Sequence, residues 1–297
     1  MMRRSWFNNA AAAALLAVAP ASAMAQAPAF AMAQAGAQAG AQAPAALASE
    51  ERTRIEAAAE RGRLLFDFIR AAQLTTRDML QRVPDPEGAG IAGWIAERAN
   101  GGLLVTYYAL GSDGPVAVYR GTVSGGGALT AHEVFAGGER PALDAAQRRL
   151  AAAREAVTAV ERTPCGGAPS FNVFVIPPES ADAPIDVYTL SPQTQRSRFP
   201  LGGHFLSRVA ADGTVSEVAG FAPRCMDVEA PPAAAGAQPA PVRVLHPGTL
   251  PTELHALLSL WMNRPLLVAT GNPVRIWGVT QGRIGLVPET APAIIGR

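Results

Sequence analysis

Two stretches of this chain are unable to bury anything, and they decide how the remainder can fold. Residues 26–48 are almost entirely Ala, Gln, Gly, Pro and Met, carry no charge and have almost no bulky apolar side chain, and residues 230–241 form a second Ala/Pro-rich run. Segments of that composition cannot offset the entropy of ordering their own backbone, so both read as linkers. Between and after them lie a main domain, residues 49–229, and a C-terminal segment, residues 242–297. The second piece is small for an independent core and is expected to dock on the first.

Ahead of the first linker, Arg3 and Arg4 precede an apolar stretch from Ala10 to Pro20, with small residues at Ala23 and Ala25. Residues 1–25 therefore read as a secretory signal peptide cut after Ala25, although a second Ala-Met-Ala at 31–33 leaves the cut site open. Arg3 to Phe7 resembles a twin-arginine signal, while paired arginines also occur in ordinary signals. The apolar run is short for a membrane span, and no later window is long enough. The expectation is an exported soluble protein, periplasmic or secreted.

Of the 297 residues 49% are hydrophobic and 16% charged, and all 25 basic side chains are arginine against 24 acidic ones. Removing residues 1–25 takes two arginines away and leaves 23 basic side chains against 24 acidic, so nucleic acid is not an expected partner. A chain without lysine also excludes a Walker-type phosphate loop, a Schiff base and a Ser-Lys nucleophile. Two cysteines remain, Cys165 and Cys225, and an oxidising compartment makes a bridge between them the default. Two buried thiols or a redox pair are the alternatives, the latter lacking its usual Cys-x-x-Cys spacing.

Ser49 with Glu50 and Glu51 reads as a helix start, with Ile55, Ala59, Gly62, Leu65, Phe66, Ile69 and Ala72 at helical spacing. Thr75, Thr76 and Asp78 read as the start of a shorter helix that ends before Pro84. Residues 103–110, 115–123 and 128–135 read as an antiparallel meander, 142–160 as a helix, and 171–176 and 185–190 as strands. Residues 203–221 form a hairpin with Asp212-Gly213 as a two-residue turn, which places Arg208 opposite Glu217 and His204 opposite Phe221. After the second linker come a strand at 242–245, a helix at 253–261 and strands at 265–269 and 274–279. Adjacent strands punctuated by isolated helices predict an α+β fold, antiparallel sheets with helices packed on one face.

Complete catalytic motifs are missing. Gly88 to Gly93 matches the spacing of a dinucleotide fingerprint, but Pro84-Asp85-Pro86-Glu87 stand where a strand should lead in, so a loop before a short helix around Trp94 is expected. Of four histidines, His204, His246 and His255 lie in the C-terminal third beside Glu253, enough donors for a zinc site if they converge. Residues 253 and 255 of a helix nevertheless point about 200° apart. Trp261, Arg264, Arg275 and Trp277 suggest an interaction surface if both indoles are exposed, and a shared core if they are not.

Val244-Leu245-His246-Pro247 followed by Thr252 to His255 resembles the JAB/JAMM metallopeptidase motif in degraded form. Val244 stands where the first zinc-binding histidine belongs, Thr252 for the serine and His255 for the aspartate, so only His246 and Pro247 match and the activity does not carry over. More broadly, Gly202-Gly203-His204-Phe205 with Pro251 to His255 resembles a group of uncharacterised secreted bacterial proteins. That resemblance implies no mechanism, but it directs attention to His204, Glu253 and His255. The expectation is a non-enzymatic binding or accessory module of the cell envelope, without a cofactor, whose partner is an envelope protein or a small ligand. The alternative is a zinc-dependent hydrolase using His204, His246, Glu253 and His255, and a third reading is purely structural.

Overall fold

The computed structural model describes residues 47–221, 224–230 and 239–288. The expected signal peptide, nearly all of the first linker, most of the second and residues 289–297 lie outside them. The element order begins with α1 (Ser49–Arg82), then β1 (Ile91–Ala99), β2 (Gly102–Gly111), β3 (Gly114–Ser124) and β4 (Leu129–Val134). Helix α2 (Ala145–Thr158) leads to β5 (Asn172–Ile176), β6 (Ile185–Leu190), β7 (Arg198–Pro200), β8 (His204–Val209), β9 (Val215–Gly220) and β10 (Asp227–Glu229). The C-terminal unit comprises β11 (Val242–Leu245), α3 (Glu253–Trp261), β12 (Leu266–Thr270), β13 (Arg275–Thr280) and β14 (Arg283–Leu286).

Among the described residues these strands form sheets β1-β2-β3-β4, β5-β6-β8-β9 and β11-β12-β13-β14, with β7 and β10 as a separate pair. All pairings are antiparallel except β11 with β12, whose crossover is α3. The α+β class and the antiparallel sheets are thus those read from the sequence.

The pleat shows how the layers stack, because successive strand residues face opposite sides. On β5, Phe174 and Ile176 join the core under α1, whereas Val173 and Val175 join the core under α2. On β6 the same split puts Tyr188 and Leu190 toward α1, and Ile185 and Val187 toward α2. Helix α1 covers one face of the first two sheets and α2 the other. A third core, built on Val268, Trp277 and Val279, takes Leu258 from α3 and Ile55 from the start of α1. Gly62 of α1 lets the two helices touch, since a Cβ there would lie 2.5 Å from both the Ala256 Cβ and the Glu253 carbonyl oxygen.

Three local expectations are corrected. Helix α1 is continuous through Thr75 and Thr76. Their hydroxyls donate to the carbonyls of Ala71 (2.8 Å) and Ala72 (2.6 Å), one turn back, instead of capping a new helix. Residues around Trp94 form strand β1, not a short helix, paired with β2 from Ile91 to Ala99 across the Asn100-Gly101 turn. Both turn residues have positive φ, 42° and 78°, the conformation that a two-residue hairpin demands.

The 203–221 hairpin closes through a three-residue loop, Ala211-Asp212-Gly213, with Gly213 at φ 85°. Arg208 consequently lies opposite Ser216, and Glu217 opposite Ser207. A bulge after Leu206 restores the expected match at the other end, where the Phe221 amide donates to the His204 carbonyl (3.2 Å). Arg208 instead pairs with Asp186 (2.9 Å) and Glu217 with Arg162 (2.9 Å).

Candidate functional site

The histidines singled out by the sequence separate into two environments. His204 begins β8 and is 2% exposed. Its Nδ1 accepts from the Ser191 amide (3.2 Å) and its Nε2 faces the Pro200 carbonyl (2.9 Å), which fixes the proton on Nε2 and uses both nitrogens. Burial holds its pKa below the ordinary histidine value. Every polar atom of the ring is spent on the backbone, so His204 fastens the turn before β8.

His246 and His255 do come together. The loop that follows β11 is tied down by the His246 amide, which donates to the Ala269 carbonyl (2.9 Å), and by the Thr270 hydroxyl, which donates to the Thr249 carbonyl (3.0 Å). The His246 ring lies over Gly248, where a Cβ would be 2.5 Å from Nε2. His255, in the first turn of α3, accepts the Thr252 amide on Nδ1 (3.0 Å), which satisfies a free N–H of the helix start. The two rings meet edge to face, with centroids 4.9 Å apart. Burial, followed by the charge His246 would carry, brings the His255 pKa down to about 3, and burial alone lowers that of His246. Both imidazoles are neutral at physiological pH.

Glu253 belongs to neither group. Its carboxylate accepts from the Tyr188 hydroxyl (2.9 Å), on the opposite side of α3 from His246, as a 200° separation on the helix requires. Among the described residues, no three His, Cys, Asp or Glu side chains group to hold a metal ion, and His204, His246, Glu253 and His255 do not converge. The fourth histidine, His132 on β4, lies 3.7 Å from Asp78.

The C-terminal indoles likewise belong to packing. Trp277 is fully buried and donates to the Thr270 hydroxyl (2.8 Å), so the surface with two exposed indoles is not formed. Trp261 meets the Phe199 ring edge-on at 6.0 Å. Arg275 lies over Trp277 and grips Glu51 of α1 with both terminal nitrogens (2.9 and 3.2 Å), while the Arg264 amide closes the end of α3 onto the Ser259 carbonyl.

The disulfide Cys165–Cys225 is formed. Gly203 makes room for it at φ 70°, since a Cβ at that position would collide with the Cys165 sulfur. The bridge fixes the segment leading to β10, and the Met226 carbonyl next to it accepts from the amides of Leu201 (2.7 Å) and Gly202 (3.2 Å). Beside the His246–His255 pair lies a partly open chamber of about 50 Å³ lined by Met226, Phe221, His246, His255, Thr252 and aliphatic side chains.

A larger cleft, about 430 Å³, opens where α1 passes the ends of the first sheet. Asp67 and Arg70 of α1 face Arg98 at the end of β1, the Asn100-Gly101 turn and the Ser124–Gly127 turn. Arg70 lies beside the Phe66 ring (5.8 Å) and against Gly127, whose φ of 78° and missing Cβ admit the guanidinium. Neither Arg70 nor Arg98 makes an ion pair or side-chain hydrogen bond with another described residue. Burial raises the Asp67 pKa, against the opposing pull of Arg70, Arg98 and Arg63. These residues carried no motif in the sequence: each arginine was one of 25, and the glycines read only as turn residues.

No family model, curated protein or solved structure matches this chain.

Among the described residues, no helix is long and apolar enough to cross a membrane.

Proposed function

We propose that this chain is an exported, non-enzymatic binding module of the cell envelope that holds a small anionic ligand between Arg70 and Arg98. One observation carries the reading: two guanidiniums that make no ion pair or side-chain hydrogen bond among the described residues line the same roomy cleft. A guanidinium presents a planar fork of donors that matches a carboxylate or phosphate, so two spare ones facing a cavity select for an anion. Asp67 in the same lining makes the site selective, because its charge repels a ligand that places an oxygen at the wrong point. The disulfide and the signal-like N-terminus support export.

The test is calorimetric titration of the mature chain with inorganic phosphate and with succinate at low and high salt. Saturable binding of one of them, weakened by salt and abolished in Arg70→Gln and in Arg98→Gln, supports the proposal. Binding that survives both substitutions, or no binding of either anion, overturns it.

A further inference from the structure

We infer that the small chamber beside the disulfide is a site for one soft monovalent cation, Cu(I), held by the Met226 thioether and a ring nitrogen of His246. Size is the first argument. A space of about 50 Å³ takes a single ion and excludes an organic ligand of any complexity. Donor chemistry is the second. Thioether and imidazole are both neutral, and the lining contains no carboxylate and no thiolate. A divalent ion would therefore bring two uncompensated charges into an apolar wall, whereas Cu(I) brings one and prefers these ligands.

The backbone that carries both donors is held in place, with Met226 itself exposed. Met226 follows Cys225 of the disulfide, and its carbonyl is gripped by two amides. The His246 ring is set between Gly248 and the edge of His255. His255 has its Nδ1 committed to the Thr252 amide, so it acts as a positioning residue, holding the His246 ring without ligating. Methionine lies outside the set of His, Cys, Asp and Glu donors that the zinc reading considered, which is why this pairing was not visible as a metal motif.

The experiment offers Cu(I), kept reduced by ascorbate, to the mature chain in competition with the chromophoric chelator bicinchoninate. A thiol count in denaturant verifies that Cys165–Cys225 stays oxidised. The expected result is one Cu(I) withdrawn per chain, with sulfur in its X-ray absorption shell. Met226→Leu should remove that sulfur, and Met226→Leu and His246→Ala should each weaken binding about tenfold or more at an unchanged melting temperature. Failure to withdraw Cu(I), wild-type affinity in Met226→Leu, or tighter retention of Zn(II) than of Cu(I) would overturn the assignment. The arginine cleft is untouched by these variants, so the two proposals stand or fall separately.

Discussion

His204 shows how one side chain can link the turn before β8 to solution pH. Its ring is buried and neutral, with a folded pKa below the ordinary value of 6.5. The unfolded chain therefore takes up a proton first as pH falls, which favours unfolding below about pH 6.5; above it both states are neutral and the penalty vanishes. Melting temperatures measured from pH 7.5 to 5 should fall with pH, and His204→Gln, which cannot titrate, should reduce that dependence while His246 and His255, also held below the ordinary value, keep the remainder. A slope unchanged by the substitution would place the effect elsewhere. Gly203 makes a second residue-scale case. Alanine there combines a left-handed backbone cost of about 1–2 kcal/mol with a collision against the Cys165 sulfur. Gly203→Ala should yield a chain with free thiols on denaturation. Breaking the bridge directly with paired serines should cost roughly 4 kcal/mol, the loop entropy of a 60-residue separation.

At the scale of elements, the crossing of α1 and α3 rests on Gly62. Gly62→Leu drives a side chain into the Glu253 backbone and should destabilise by about 1–3 kcal/mol, with urea unfolding as the readout. An unchanged midpoint would show that the crossing is looser than its geometry. Helix α3 and strands β6 and β11 were legible to the residue, because capping signals or short β-branched runs mark both ends. Strand β1 was not, because Ala92, Ala96, Glu97 and Ala99 favour helix by propensity and eight residues' pairing with β2 overrides it. The usable signal was Asn100-Gly101, the dipeptide most suited to a tight hairpin turn. At the candidate sites, the sequence brought His246 and His255 to notice but not Met226 or the arginine cleft. Their partners come from elements far apart in the chain, and only the packing of α1 and the disulfide joins them.

For the molecule as a whole, two of the three cores share helix α1, and the core under α2 shares strands β5 and β6 with the first of them. Ile55 sits in the C-terminal core, while Leu65, Phe68 and Met79 sit under the sheets. Residues 47–288 should therefore melt as one body. In a Trp94→Phe variant the indole signal from the C-terminal unit should coincide with the loss of ellipticity, and two separated transitions would refute shared cooperativity. Ligand in the arginine cleft, at a hundred times its Kd, should raise stability by about 2.7 kcal/mol across that single transition. The same helix also bears on how the chain is made. During synthesis α1 emerges long before α3, so its Gly62 face stays bare until nearly the whole sequence has left the ribosome. The crossing of the two helices must therefore wait until α3 has been made, however early α1 itself forms.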